Sequence, residues 1–240
     1  MNPKKSCRPS VYYTQTPLDA YNQTLDETRF LKRYDKFTKK MANETHFNEE
    51  EIQSLVLIHY RFLTDEQKSR KTMTNEQILS VLIDTFDMTN EKMANNVAMA
   101  LDWKTGGQKI TKARWLRMLS LFLRGSLREK IKFCFSVYDT RRTGFLSREL
   151  LFGYLNKAFF NTDGKPDEES TRDMVDILMK KMDHDRDGKI SFKDYKTSVL
   201  RQPCLLEFLG QCLPDKRACI RFSTSWARNV VLNESQVYFC

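Results

Sequence analysis

The sequence predicts an all-α protein of two lobes, built from four helix–loop–helix units whose loops touch through short β contacts. Three observations predict it. Apolar residues recur at helical spacing along nearly the whole chain after Asn48. The helical runs are joined by short polar loops and return in pairs at intervals of roughly 35–45 residues. One of the loops has the spacing of a cation-binding turn, and a second shares its skeleton.

The elements run in order along the chain. Residues 1–27 show no steady period and read as a flexible arm. Residues 28–42 are dense in charge, with Phe30, Leu31, Tyr34 and Phe37 at helical spacing, and predict a basic lead-in helix packed on the next lobe. Glu49 to Phe62 places Ile52, Leu55, Val56, Tyr60 and Phe62 or Leu63 inward. Thr74-Asn-Glu-Gln77 is a capping box that opens the next helix, from Ile78 to Phe86. Further helices are expected over Asn90–Leu101, Trp115–Leu123, Arg128–Tyr138, Glu149–Phe160, 171–182 and 192–200. Pro203 stops the last of these. The predicted organisation is therefore an N-terminal lobe over 28–125, a C-terminal lobe over 126–202, and a tail over 203–240 with one short apolar helix, Leu205–Leu209.

Composition narrows the class. The chain has 240 residues, 40% hydrophobic and 30% charged, an ordinary globular balance that excludes a wholly disordered or collagen-like chain. No apolar run approaches a membrane span. The start is basic but lacks an apolar core, so no signal peptide is expected, and Asn2 does not fit N-myristoylation. Six scattered cysteines without a CxxC pair suit a reduced, cytoplasmic chain. His46, His59 and His184 are dispersed, and no nucleophile elbow, phosphate loop or HExxH is present, so no enzyme is expected. The net charge of +9 favours acidic partners, but no zinc spacing, RNA-binding signature or basic zipper supports nucleic-acid binding.

The chemistry lies in the loops. Asp183-His-Asp-Arg-Asp-Gly-Lys-Ile-Ser-Phe-Lys-Asp194 is a twelve-residue EF-hand loop. Asp183, Asp185 and Asp187 occupy positions 1, 3 and 5, and Gly188 occupies position 6, where the turn needs a positive φ. Lys189 offers its backbone carbonyl, Ser191 binds directly or through water, and Asp194 stands at position 12. Ca²⁺ takes six to eight oxygens at about 2.3–2.6 Å, and clustered carboxylates repel one another until such a cation arrives. A chance acidic turn does not account for Ile190 at position 8, the site of the inter-loop β contact. Asp194 is one methylene shorter than the usual Glu, which predicts weaker Ca²⁺ binding and better tolerance of Mg²⁺.

The other loops are eroded. Asp139 to Leu150 keeps Asp139, Gly144 and Leu146 at positions 1, 6 and 8, but places Arg141 and Thr143 at positions 3 and 5 and Leu150 at position 12. A guanidinium where a carboxylate should point rejects a cation. In the loop around Asp102–Ile110, position 12 falls on Arg114. The stretch Thr64–Met73 has no glycine. The first loop is expected to pair with the second, and the third with the fourth.

Three segments carry a more specific likeness. Leu119-Ser-Leu-Phe-Leu-Arg-Gly-Ser-Leu127, Lys180-Lys-Met-Asp-His-Asp185 and Cys212-Leu-Pro-Asp215 together resemble the calaxin family, EF-hand proteins of motile cilia and sperm flagella. The likeness covers roughly residues 40–215. It implies an adaptor of the axoneme that helps to seat outer-arm dynein at its docking complex on doublet microtubules and tunes motility to Ca²⁺. The implied partners are docking-complex subunits, dynein and tubulin. The eroded second and third loops depart from the family pattern.

The charge map fits attachment. Residues 101–133 hold nine basic and two acidic residues, a local charge of +7. Lys112, Arg117, Arg124, Arg128, Lys130 and Lys132 are the candidate contacts to an acidic surface such as tubulin or an acidic coiled coil. A solvated helix face is the plainer account of the same charges. Met174, Met179 and Met182 beside the fourth loop fit either core packing or a groove for a partner helix. The alternative function is a soluble calcium sensor acting on a partner enzyme in trans, like the calcineurin regulatory subunit or the neuronal calcium sensors.

Overall fold

A computed structural model describes residues 29, 32–63, 72–101, 109–156 and 167–226. The expected arm over 1–27, most of the first two loops, residues 157–166, which include the end of the helix expected over Glu149–Phe160, and the end of the tail lie outside them.

Two short antiparallel sheets organise the helices. Helix α1 (Asp35–Glu44) leads into α2 (Glu49–Arg61). The strand β1 (Thr72–Thr74) precedes α3 (Asn75–Ser80), which widens into a π turn over Val81–Thr85. Helix α4 (Glu91–Leu101), β2 (Lys109–Thr111) and α5 (Lys112–Arg124) complete the first set, a lead-in helix and four more. The second set is α6 (Leu127–Tyr138), β3 (Phe145–Ser147), α7 (Arg148–Leu155), α8 (Glu168–Met182), β4 (Lys189–Ser191) and α9 (Phe192–Arg201). A 3₁₀ turn over Pro203–Glu207 and a last helix, α10 (Lys216–Trp226), end the described chain.

The expected loop pairing is present. β1 pairs with β2, and Met73 faces Ile110. β3 pairs with β4, and Leu146 faces Ile190. All four of these side chains are buried. The pair at position 8 thus survives in loops whose ion ligands are gone, because it anchors the sheet to the core and needs only apolar bulk.

Local sequence sets the helix starts. Capping boxes open α2 (Asn48 with Glu51), α3 (Thr74 with Gln77), α6 (Ser126 with Glu129) and α9 (Ser191 with Asp194). Gln77 also donates from Nε2 to the Phe62 carbonyl at 2.8 Å, which ties the first loop across its own base.

One continuous apolar core runs through both sets, from Met41 to Phe222. Between them, α5 turns into α6 at Gly125-Ser126. A Cβ on Gly125 would stand 2.4 Å from the Leu121 carbonyl oxygen and 2.9 Å from Leu121 Cδ1. The glycine in the Leu-Arg-Gly-Ser-Leu segment therefore lets the chain reverse directly against the last turn of α5.

Three expectations need correction. The lead-in helix α1 runs to Glu44 and buries Thr38 and Met41, with Phe37 half-buried. The short helix expected at Leu205–Leu209 is a 3₁₀ turn that begins earlier, at Pro203, and ends at Glu207. The tail also holds α10, not expected from the sequence, which buries Ala218, Phe222 and Ser223.

Candidate metal centre

Helix α8 delivers Asp183 at its C-terminus, and the loop returns through β4 into α9. Two residues adopt left-handed backbone in this turn, Arg186 at φ 60° and Gly188 at φ 82°. The third loop repeats the geometry with Arg142 at φ 56° and Gly144 at φ 81°. The two loops therefore share a backbone and differ in side chains.

Those side chains separate them chemically. Carboxylate oxygens of Asp183, Asp185 and Asp187 all lie within 4.8 Å of one another. Backbone amides hold the trio: Gly188 N–H donates to Asp183 Oδ2 at 3.0 Å, and Lys189 N–H donates to Asp187 Oδ1 at 2.8 Å. Asp183 Oδ1 is buried and has no hydrogen-bond partner. A buried carboxylate oxygen left this way costs free energy unless a cation or water meets it. The donor set is all hard oxygen, as Ca²⁺ and Mg²⁺ require. The residues fit the group.

In the third loop no such oxygen is left. Asp139 Oδ1 accepts from Thr143 N at 2.9 Å and Thr143 Oγ1 at 3.2 Å, and Oδ2 accepts from Gly144 N at 2.7 Å. Arg141 and Arg142 are exposed. This loop closes on itself.

The remaining candidate ligands lie further along the loop. Lys189 and Ser191 belong to β4. Asp194 is 4% exposed and stands apart from the carboxylate trio. Its Oδ2 accepts from Ser191 N at 3.1 Å and from Ser191 Oγ at 2.6 Å, so it completes the capping box that opens α9 at Ser191. Spacing alone did not reveal that the same carboxylate closes a Ser-x-x-Asp capping box, although the pattern is visible once sought. His184, at a non-ligand position, holds Ser198 Oγ at 3.0 Å from Nε2. Of the three methionines, Met179 and Met182 are buried in the core and Met174 is half-buried.

The six basic candidates do not form one face. Lys112 is buried, with Nζ 3.2 Å from Tyr34 Oη and 4.4 Å from the centre of that ring. Arg117 pairs with Glu44 at 2.6 Å. Arg124 binds Glu51 through both terminal nitrogens, at 2.9 and 2.5 Å, donates to the His46 carbonyl at 2.8 Å and lies over the Phe47 ring at 5.0 Å. These three hold α1, α2 and α5 together. Arg128 and Lys132, one turn apart on α6, are exposed, and Lys130 between them is half-buried.

The family model for an EF-hand domain pair matches residues 128–200. The chain is 38% identical to calaxin of Danio rerio over 182 residues, covering 74% of this chain and 85% of that protein. It is 35% identical to calaxin of Homo sapiens over 201 residues, covering 82% and 93%. Similarity to the calcineurin B protein of Schizosaccharomyces pombe is lower, at 28% over 160 residues, covering 66% and 86%. No helix among the described residues is long and apolar enough to cross a membrane.

Proposed function

The chain belongs to the calaxin family, and on that premise we propose that it is a calcium-binding adaptor of motile cilia or sperm flagella that helps to seat and regulate outer-arm dynein on doublet microtubules. The observation that carries the ion-binding half is the buried, unpartnered Oδ1 of Asp183 beside Asp185 and Asp187. In this reading the three carboxylates, the Lys189 carbonyl, Ser191 and Asp194 hold one Ca²⁺, and Mg²⁺ competes because a site whose twelfth ligand is engaged in a cap offers fewer oxygens.

The adaptor half is supported by the family likeness and by the basic residues that α6 leaves in solvent, Arg128 and Lys132. Docking-complex subunits, dynein and the acidic surface of tubulin are the partners of this reading, and the axoneme is its location. Co-sedimentation of the purified protein with salt-stripped axonemal doublets, in Ca²⁺ and in chelator, tests it. Binding in both conditions means a constitutive docking part with a structural ion. Binding in Ca²⁺ alone means a switch. Absence of binding in both, with docking-complex subunits restored, removes the axonemal assignment and leaves an EF-hand protein.

A further inference from the structure

The outer face of the second helix set carries apolar groups as well as charge. Helix α9 packs on α6, and at their seam Phe135 meets Phe192 edge-on with ring centroids 5.3 Å apart. Phe135 is buried, but Phe192 is 36% exposed. On α6, Arg128 and Lys132 stand two turns and one turn before Phe135, so the three share a stripe and the two cations border the seam. On α9, Phe192, Lys196 and Leu200 recur at every fourth residue and form a second stripe, in which Leu200 is 47% exposed.

The two stripes run side by side. Helix α6 leads into β3 and α9 leads out of β4, and these strands pair. Moving away from the sheet, α6 therefore presents Lys132 and then Arg128, while α9 presents Lys196 and then Leu200.

The charge on this face has one sign. Each helix has a single acid, Glu129 on α6 and Asp194 on α9. Glu129 is engaged by Ser126 and lies 3.6 Å from His46, toward the first set. Asp194 is buried in its capping box. Arg128, Lys132 and Lys196 are exposed and make no ion pair among the described residues.

Two large apolar side chains in solvent, edged by three cations, match a cover that supplies apolar bulk and carboxylates together. Phe192 and Leu200 are separated by about 12 Å along the helix axis. A second helix laid along the seam meets both with residues two turns apart on its own apolar face. A wholly acidic tail would neutralise the cations and leave both apolar groups wet.

We propose that the seam of α6 and α9 docks an acidic amphipathic helix of a partner protein, with aliphatic side chains on Phe192 and Leu200 and carboxylates on Arg128, Lys132 and Lys196. This deepens the adaptor reading, on which it rests for the partner's setting, by giving that partner a chemistry.

The probe is a fluorescein-labelled helical peptide with leucines at i, i+4, i+7 and i+11 and glutamates at the flanking positions, and the receptor is the full chain. Anisotropy should show saturable binding to the unaltered chain. Lys196→Glu should weaken it at least about ten-fold and Leu200→Gln at least about five-fold, with the thermal midpoints of both variants unchanged because both side chains are exposed. A peptide that keeps the glutamates but carries serine for every leucine should bind at least about ten-fold more weakly. Equal binding of the serine peptide would make the face a general anion surface and overturn the proposal. Unchanged affinity in the Leu200→Gln chain, or no binding of the leucine peptide, would also overturn it. Co-sedimentation with doublets fails separately. A chain that sediments but does not bind the peptide overturns this proposal and leaves the adaptor reading, whereas a chain that binds the peptide but not doublets supports the proposed face and removes the axonemal setting.

Discussion

Asp139 and Asp183 stand at the same place in two paired loops, and only Asp183 keeps a buried oxygen without a partner. The backbone around them is the same, so the difference lies in the residues next along each loop. Thr143 and Gly144 satisfy both oxygens of Asp139, whereas Asp183 receives one amide and faces two further carboxylates. Calorimetric titration should therefore find one Ca²⁺ per chain. Asp183→Asn should abolish that binding. Asp139→Asn should leave it intact while costing stability, on the order of 1–3 kcal/mol for hydrogen bonds to a charged group in a buried site. Equal loss of Ca²⁺ binding in both variants would contradict the distinction.

Asp194 performs one task at the expense of another. Its Oδ2 is engaged by Ser191, which starts α9, so this short side chain has at most Oδ1 left to offer the cluster. A glutamate at this position keeps the Ser-x-x-Glu form of the box and has the extra methylene to ligate. Asp194→Glu should tighten Ca²⁺ about ten-fold, roughly 1.4 kcal/mol, and reduce competition by Mg²⁺. Unchanged affinity would show that the cap does not limit the site.

Much of this architecture was legible in the sequence because the signals are local. Thr74-x-x-Gln77, Gly188 and the position-8 pair Leu146–Ile190 each act within a few residues of their own place. What was not legible depends on tertiary placement. Nothing in a run of basic residues says that Arg124 turns inward to Glu51 while Arg128, four residues on, stays in solvent. Likewise the place of Phe222 on α10 is not a local property, because Phe86 and Phe122, on distant helices, form the cluster it packs on. The unpartnered Oδ1 of Asp183 is a property of hydrogen-bond geometry, to which spacing is blind.

The inward turn of Arg124 separates two kinds of charge reversal. Arg124→Glu would set a carboxylate against Glu51, which is only 16% exposed, and should cost about 3 kcal/mol or more, as breaking a largely buried pair does. Arg128→Glu with Lys132→Glu should change stability by only about 0.5 kcal/mol. If α6 meets an acidic partner, the double variant alone should lose co-sedimentation with doublets at low salt. Chemical denaturation beside the sedimentation assay distinguishes the two, and attachment that survives the double variant would remove α6 from the binding surface.

Gly125 offers a purely steric test. With φ −62° it needs no left-handed freedom, and the constraint is the Leu121 carbonyl 2.4 Å from any added Cβ. Gly125→Ala should force α5 and α6 apart and destabilise by roughly 1–3 kcal/mol, the range for overpacking. Each kcal/mol should lower the thermal midpoint by about 2–4 °C. A midpoint at or above that of the unaltered protein would show that the turn relaxes freely.

His59 makes the first helix set sensitive to acid. The ring is fully buried on α2, edge-on to Trp115 at 6.2 Å, and neither nitrogen has a hydrogen-bond partner. Burial, reinforced by the Lys112 ammonium, pushes it down from 6.5 to about 4; the backbone at Ile110 pulls the other way but lies outside hydrogen-bonding geometry. The folded state thus takes up a proton less readily than the unfolded chain, and stability rises with pH wherever the unfolded chain holds more protons. The contribution is complete above pH 6.5 and is lost as pH falls from there to about 4, where the loss amounts to about 3 kcal/mol. Urea denaturation at pH 7 and at pH 4.5 should show this loss, and His59→Phe should remove most of it while keeping the contact with Trp115. An equal acid loss in the phenylalanine variant would place the sensitivity in the carboxylates instead.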